Sequence, residues 1–306
     1  MFCLVVSFRR RPTRSSPLTA GLCVAAITLW TAAGCGNGSK LVLTQQVESR
    51  RLVSNLRIQF GKAADASNRA VMADTDEASR TAAREAEQGT RAVERDVEEL
   101  RPILEGLSYR DEIQQLDTFK ARFAEYRRLD ADILPLAVEN TNIKAQRLSF
   151  GPGQDAVTAF RQSLAAAARV PAAKNRDRVE ALVATATSAL LEVQVIQARH
   201  IAESDETAMS RMEAEMTASD AAARKALDAL KDLLAPAARP QLAAAAAALD
   251  RFKAINAELV VLSRRNSNVR SLALSLGRKR TVTAECDDIL HALEDALAKH
   301  DFTATR

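Results

Sequence analysis

The sequence predicts an all-α protein, and three observations lead to that fold class. From about residue 42 onward, alanine, glutamate, arginine, leucine and glutamine dominate, and all five favour helices. Glycine and proline occur at only a few places, where they mark turns. Positions 126, 129, 133, 136, 140 and 143 step by three and four, which is the spacing of a helix-bundle seam.

The first 34 residues are predicted to be a secretory signal and not part of the fold. Four arginines and no acid precede an apolar run from Leu18 to Ala33. That run is shorter than the roughly 20 residues that a membrane-spanning helix needs. An uncleaved membrane anchor is the alternative interpretation.

The signal ends in TAAGC, which resembles a bacterial lipobox. The resemblance implies that Cys35 carries a lipid and becomes the first mature residue, so that acyl chains anchor the protein to a membrane. Residues 35–41, which include GNGS, would then form a flexible tether. A glycine after Cys35 resembles outer-membrane sorting, so we expect the periplasmic side of a bacterial membrane, with the outer membrane favoured. Alternatively, Cys35 is only the tail of an ordinary signal.

Charge and cysteine content argue against a nucleic-acid-binding protein and against a disulfide-rich protein. The signal holds four of the 43 basic residues and none of the 39 acids, so the remainder balances 39 bases against 39 acids. This balance gives no reason to expect nucleic-acid binding. The short basic runs at 264–268 and 277–280 are interpreted as a solvated face or bundle end. Outside the signal and Cys35 the only cysteine is Cys286, which predicts a core residue and no disulfide framework.

Turn residues divide the remaining chain into six predicted helices. Gly106 ends the first helix, and Ser108 is a predicted N-cap for the second. Further breaks occur at FGPGQD (150–155), Pro171, APAARP (235–240) and Gly277. The predicted helices are 44–105, 109–150, 154–169, 174–235, 239–276 and 281–299.

The order long, medium, short occurs twice because the chain contains an internal repeat. NTNIKAQRLSFG at 140–151 is written again as NSNVRSLALSLG at 266–277, and DTDE at 74–77 corresponds to ESDE at 203–206. The repeats are predicted at 42–171 and 172–306, together forming one bundle domain. Each would supply one long helix and a broken return column, giving an elongated up-down four-helix bundle. Both return columns are expected to break at the same height, at Gly151 and Gly277.

Two asparagines stand on the predicted seam where leucine or isoleucine is expected. Asn140 and Asn266 would cost free energy there unless they are paired. They could set the helix register, contact a ligand or be exposed. Asn142 and Asn268 lie to one side of the seam and are expected to be solvated.

Sequence motifs give no support for an enzyme. There is no HExxH, no GxSxG, no phosphate-binding glycine loop and no Cys-x-x-Cys-His. A di-iron bundle needs two Glu-x-x-His pairs, and the only approach to one is Asp288-x-x-His291. We therefore expect neither catalytic residues nor a metal or other cofactor.

The chain resembles the extracytoplasmic four-helix-bundle sensor domains of methyl-accepting chemotaxis receptors, in their helical bimodular form. The resemblance is carried by NLRIQFGKAADASNRAVMADTDEASR (55–80), by FAEYRRLDADILPLAVENTN (123–142) and by their second-repeat counterparts. It implies two stacked bundles traversed by two long helices, and a small organic acid or amino acid bound between helices.

Arginine forks and amide donors are the side chains that an anionic ligand between helices would need. The candidate ligand-binding residues are therefore Arg57, Gln59, Asn140, Arg147 and Asn266. Receptors of this kind continue into a second membrane helix and a signalling module, and no apolar run of spanning length follows the signal here. We expect a lipid-anchored binding protein that reports to a membrane signalling partner or forms a homodimer. The alternative is a structural lipoprotein that scaffolds protein contacts in the envelope.

Overall fold

The computed structural model describes residues 35–170 and 175–300. The predicted signal at 1–34 lies outside this part of the chain. Every secondary-structure element in the described ranges is helical and none is a strand, so the all-α prediction is confirmed.

The described ranges contain ten α-helices. They are α1 (Cys35–Met72), α2 (Asp76–Leu107), α3 (Arg110–Glu139), α4 (Thr141–Leu148), α5 (Gln154–Arg169), α6 (Arg176–Ala202), α7 (Glu206–Leu233), α8 (Arg239–Arg265), α9 (Ser267–Leu274) and α10 (Arg280–Lys299). Single π-helical turns at Ser149–Gly153 and Ser275–Lys279 join α4 to α5 and α9 to α10. A short 3₁₀ turn, Pro236–Ala238, precedes α8.

The prediction of single long helices at 44–105 and 174–235 is wrong, because each of these segments is a hairpin of two helices. The chain reverses at 73–75 and again at 203–205, so that α2 packs back along α1 and α7 along α6. The N-caps of the returning helices hold these turns. Thr75 Oγ1 accepts from the amide of Ala78 at 3.2 Å, and Asp205 Oδ1 accepts from the amide of Ala208 at 2.6 Å.

The segments predicted as broken return columns are in fact the longest features of the molecule. Residues 110–169, the first column, and 239–299, the second column, each run about 90 Å at 1.5 Å per residue. They lie antiparallel, since α3 packs on α10 and α5 packs on α8. Helices α1 and α2 complete a first bundle with α3 and α10, whereas α6 and α7 complete a second bundle with α5 and α8.

The prediction that both columns break at the same height, at Gly151 and Gly277, is wrong. The residue that leaves the helix at mid-height is Asn140 in the first column and Asn266 in the second. The π turn that holds Gly151 contacts α5, α6 and α8, and the one that holds Gly277 contacts α3 and α10. The glycines therefore lie on opposite sides of the middle, one in each bundle.

The two bundles have different cores. In the first bundle, aromatic rings stack and meet edge to face around Phe60, whose ring centroid lies 5.2 Å from that of Tyr126. Cys286 belongs to this core, as predicted, and is fully buried. The second core is mainly aliphatic. At Gly89 an added Cβ would lie 2.8 Å from the Cβ of Ala63, which shows how closely α1 and α2 approach.

Two features of the helices bear on the predicted attachment to a membrane. Helix α1 already begins at Cys35, so it includes residues 35–41, the segment expected to be a tether. Helix α6 is long and apolar enough by composition to cross a membrane, so the expectation that no apolar run of spanning length follows the signal is wrong as a statement of composition. It packs against α7 and α8 as a core helix of the second bundle does, so its composition is weak evidence for a span.

Candidate functional site

The two columns cross at a polar junction formed by residues 140–142 and 266–268. Asn140 and Asn266 each adopt the left-handed conformation, with φ of 51° and 54°. Asparagine tolerates this region better than most residues, because its short side chain can hydrogen-bond locally. Each column therefore restarts its helix here, one residue later, as α4 or α9.

The junction is a reciprocal set of hydrogen bonds between equivalent residues of the two repeats. The amide of Thr141 donates to Ser267 Oγ at 3.1 Å, and the amide of Ser267 donates to Thr141 Oγ1 at 3.0 Å. The amides of Asn142 and Asn268 donate to each other's Oδ1 at 3.1 Å. Residue i contacts residue i+126 in both directions, which is the pattern of a two-fold axis between the repeats.

Both seam asparagines are fully engaged by protein. Asn140 accepts from Asn268 Nδ2 at 2.9 Å, and Asn266 accepts from Asn142 Nδ2 at 2.7 Å. Their own amide groups reach the hairpin turns: that of Asn140 donates to Asp76, and that of Asn266 to the carbonyl of Glu203. The arrangement favours the register interpretation. The expectation that Asn142 and Asn268 are solvated is wrong, because both are bound into the junction.

The other predicted ligand-binding residues do not gather at the junction or with one another. Arg57 pairs with Asp287 and Glu294 across α1 and α10. Arg147 is exposed and donates to the carbonyl of Asp74 at 2.6 Å. Gln59 is half-buried on α1. None of the five predicted residues lines the cavities described below.

A buried ion pair in the first bundle was not predicted from the sequence. Lys279 Nζ lies 2.6 Å from Asp130 Oδ1, with the two side chains only 2% and 7% exposed. Ser67 donates to the same carboxylate oxygen at 2.6 Å. Burial lowers the pKa of Lys279, while Asp130 opposes that shift. Interpreting the basic run at 277–280 as wholly solvated is therefore wrong for Lys279.

The pair also leaves polar atoms without hydrogen bonds. Asp130 Oδ2 and the Tyr126 hydroxyl are buried and make none with the described residues. Burial, together with the neighbouring carboxylate of Asp130, raises the pKa of Tyr126. The Lys279 ammonium lies 5.3 Å from the centroid of the Tyr126 ring, within the range of a cation–π contact.

The second bundle has a neutral version of the same arrangement. At a spacing of 126, Asp130 corresponds to Asn256 and Lys279 to Gly153. Gln197 Nε2 donates to Asn256 at 2.8 Å, and Ser149 donates to Gln197 at 2.8 Å. Amides and a hydroxyl thus replace the ion pair.

A cavity of about 330 Å³ opens between α7 and α8 beside this neutral network. Its walls are mostly apolar, and its polar groups are contributed by both α7 and α8. The lining residues are Leu190, Val193, Glu213, Met216, Thr217, Asp220, Ala223, Phe252, Lys253, Asn256, Ala257 and Val260.

The polar groups of this cavity are two carboxylates, Glu213 and Asp220, the base Lys253, the amide Asn256 and the hydroxyl of Thr217. Lys253 Nζ lies 3.5 Å from Asp220 Oδ2, and the lysine side chain is 61% exposed, so this ion pair is weak. Asn256 accepts from Gln197 through Oδ1, and its Nδ2 donates no hydrogen bond to the described residues. A base, an acid and a free amide donor therefore face one apolar space.

A histidine network borders the cavity through Glu213. His200 is fully buried, with Nε2 2.9 Å from Glu213 and Nδ1 2.8 Å from Ser263 Oγ. Ser263 Oγ also donates to the carbonyl of His200 at 2.8 Å, so the two residues are joined twice. The hydrogen bond from Arg264 lowers the pKa of Glu213, which therefore remains a carboxylate acceptor.

The first bundle carries a corresponding groove of about 310 Å³ between α2 and α3. Its lining includes Arg127, which corresponds to Lys253, Asp130, which corresponds to Asn256, and a second arginine, Arg91. Arg127 is paired with Glu94. The duplication thus places two grooves at equivalent positions with different chemistry.

Within residues 35–170 and 175–300, no group of three or more His, Cys, Asp or Glu side chains is arranged to hold a metal ion. No protein family, curated protein or solved structure matches this chain.

Proposed function

We propose that this chain is a lipid-anchored binding protein of the cell envelope that takes a small amphiphilic solute between helices of the second bundle. The observation that supports the proposal is the cavity between α7 and α8. It joins an apolar floor to an acid, a base and an unused amide donor, which is the composition of a typical small-molecule site. The protein binds and does not catalyse.

The ligand that fits this chemistry best is an amino acid with an apolar side chain. Its carboxylate would contact Lys253 and the Asn256 amide, and its ammonium group would contact Asp220. The exposed ion pair between Lys253 and Asp220 opens at little cost, because surface pairs contribute little stability. The side chain would then fill the space beside Met216 and Phe252.

Thermal unfolding with a panel of amino acids and small organic acids tests this proposal. A ligand at 100 times its Kd stabilises the folded state by about 2.7 kcal/mol, which raises Tm by roughly 5 °C in a protein of this size. Lys253→Met should abolish the shift. Arg127→Met, the same change at the equivalent position of the first bundle, should leave it intact. Equal loss in both variants would contradict the proposed site.

Membrane attachment through Cys35 is a separate part of the proposal. The lipobox-like TAAGC supports it, together with the basic and apolar segments before it. Metabolic labelling with palmitate should mark the chain, and Cys35→Ser should remove both the label and the globomycin sensitivity of processing. An unlabelled chain in the membrane fraction would contradict lipidation and leave the cavity proposal untouched.

A structural role in the envelope is the second candidate. The two continuous columns favour it, since a rod of about 90 Å can hold partners apart. Absence of any saturable shift across a broad ligand panel would favour this scaffold.

A further inference from the structure

The first turns of α1 project beyond the end of the first bundle. Gln46 donates to the hydroxyl of Tyr109, in the turn between α2 and α3, at 2.9 Å. One turn further along, Arg50 donates to the carbonyl of Leu297 near the end of α10 at 3.0 Å. Residues 40–44 precede these contacts, and every one of them is exposed. This part of α1 therefore extends past the helices that it packs against in the rest of the bundle.

The projecting turns carry exposed apolar side chains. Leu41 is 60% exposed, Val42 46%, Leu43 47% and Val47 53%. Successive residues of a helix lie about 100° apart around its axis, so the three consecutive residues cover about 200° of the circumference. The ranges 35–170 and 175–300 contain no other three consecutive large apolar residues that are exposed. An exposed run of this kind indicates a partner that covers it.

The internal repeat shows that the bundle does not require these turns. At the spacing of 129 (203 − 74) that relates the two hairpin turns, Arg176 corresponds to Val47. Helix α6, the counterpart of α1, begins at Arg176, whereas α1 begins at Cys35, so α1 is longer by 12 residues (47 − 35). The added turns therefore serve something other than the packing of the repeated fold.

The sequence places a membrane next to the projecting turns. The proposed lipid on Cys35 puts a lipid surface directly before α1, and so does an uncleaved anchor at Leu18–Ala33. Along the helix axis, Leu41 lies about 9 Å and Leu43 about 12 Å from Cys35. When α1 is inclined to the surface, these distances bring both side chains into the interfacial layer, where the apolar faces of helices lie roughly 5–10 Å deep. Residues 41–47 carry no charged side chain that would oppose insertion.

Unpaired bases stand at the same end of the bundle. Lys40 lies in the projecting turns, Arg110 begins α3 and Lys299 ends α10. All three are exposed and form no ion pair with the described residues, and neither does the exposed acid beside them, Asp111. The other acids of this end are bound by basic side chains: Glu48 by Arg51, Glu105 by Arg101 and Glu112 by His300. The end therefore offers more free bases than free acids, which suits the phosphates of lipid head groups.

We propose that residues 40–47 of α1 insert into the head-group layer of the membrane that anchors the chain. The inference rests on the proposed membrane attachment and is independent of the amino-acid cavity in the second bundle. Because α1 continues without a break from Cys35 into the first bundle, insertion of these turns fixes the inclination of the rod. Residues 35–41 then form part of a rigid docking element and not a flexible tether.

Tryptophan fluorescence reports the surroundings of these turns directly. Trp30 is the only tryptophan of the chain, so a Trp30→Phe background leaves any introduced tryptophan as the sole emitter. Leu43→Trp is compared with Ile58→Trp, a position that is also exposed on α1 and lies about 22 Å further along its axis. The membrane-attached chain is reconstituted in vesicles of phosphatidylethanolamine and phosphatidylglycerol, with and without brominated acyl chains.

Insertion predicts different results at the two positions. Leu43→Trp should emit at a shorter wavelength than Ile58→Trp and should lose most of its emission in the brominated vesicles, whereas Ile58→Trp should keep its emission. Adding Leu41→Asp to Leu43→Trp should remove both effects, because a carboxylate resists transfer out of water. Adding Ile58→Asp instead should leave them unchanged. All three positions are exposed, so circular dichroism and urea unfolding should match the parent protein.

Flotation of the vesicles separates this inference from the proposed attachment. A chain that floats with the vesicles while Leu43→Trp emits as in water would overturn insertion and leave attachment in place. A chain that does not float would contradict attachment itself, and insertion with it. Equal quenching at residues 43 and 58 would place the whole rod flat on the membrane and overturn an element confined to the first turns. A blue-shifted but unquenched Leu43→Trp, in a chain that light scattering shows to be dimeric, would also overturn insertion and assign the exposed face to a second copy of the chain.

Discussion

Removing one partner of the buried pair Asp130–Lys279 should destabilise the fold strongly. Asp130→Asn leaves Lys279 buried without its carboxylate, and breaking such a pair typically costs about 3–5 kcal/mol. The structure also limits the cost, because the lysine can release its proton. A lysine with an ordinary pKa of about 10.4 does so at pH 7 for about 4.6 kcal/mol. We therefore expect a loss of about 3–4.6 kcal/mol in the free energy of unfolding.

This argument predicts a distinctive pH dependence for Asp130→Asn. Burial already lowers the pKa of Lys279, and the variant removes the carboxylate that opposes this shift. Between the lowered folded-state pKa and the ordinary unfolded-state pKa, the unfolded chain binds more protons, so stability rises with pH. The variant should recover part of its loss between pH 7 and pH 10.

Urea unfolding at several pH values measures both effects. Asp132→Asn, at an exposed position two residues away, is the control and should stay within about 0.5 kcal/mol of the parent. The double variant Asp130→Asn with Lys279→Met should recover most of the stability, since no charge remains buried. A single variant within 1 kcal/mol of the parent, or a double variant no better than the single, would refute the reasoning.

Three further predictions concern the junction, the core thiol and the ion pair between the columns. Asn140→Leu should lower the free energy of unfolding by about 3 kcal/mol, because leucine is strained at positive φ and the hydrogen bonds that Asn140 makes to Asp76 and to Asn268 Nδ2 are lost. Urea unfolding measures this, and an unchanged or higher stability would contradict the register role. Burial raises the pKa of Cys286 to about 12, so the thiol should react with DTNB at pH 8 at least about 100-fold more slowly in the folded protein than in urea; equal rates would contradict its burial. Glu139 and Arg265 are equivalent residues that pair with each other across the two-fold axis. Glu139→Arg should lower Tm slightly, and adding Arg265→Glu should restore it. An additive loss in the double variant would show that the pair does not form.

The sequence predicted the helical class and the duplication, but it did not predict the two chain reversals. A helix that folds back on its neighbour buries the same kind of apolar face as a helix that continues. The apolar stripe therefore runs on from α1 into α2 across the turn. Periodicity therefore cannot show the turn at 73–75. A local signal was present: Thr75 followed by Asp76 is an N-cap with an acid in the first turn, and Asp205 followed by Glu206 repeats it.

The buried pair shows the same limit at the level of the site. Asp130 lies four residues after Tyr126 on the seam, so a carboxylate at that position could have been recognised as buried. Lys279 could not, because it sits in a basic run and its burial depends on the π turn around Gly277. Within that turn Gly277 has a non-helical ψ of −124°, which changes the side of the column on which the following residues lie. The three-and-four spacing of an uninterrupted helix then no longer predicts which residues are buried.

The duplicated framework separates what the fold requires from what one bundle alone contains. The second bundle joins its helices at the equivalent level through Ser149, Gln197 and Asn256 without an ion pair, so the duplicated fold does not need a buried charge there. An ion pair removed from water is seldom more stabilising than neutral groups of similar volume, and here it also leaves Tyr126 Oη and Asp130 Oδ2 without hydrogen bonds. Lys279 lines one surface groove of the first bundle and Asp130 lines another. The ion pair is therefore a feature of the first bundle and not a requirement of the duplicated fold.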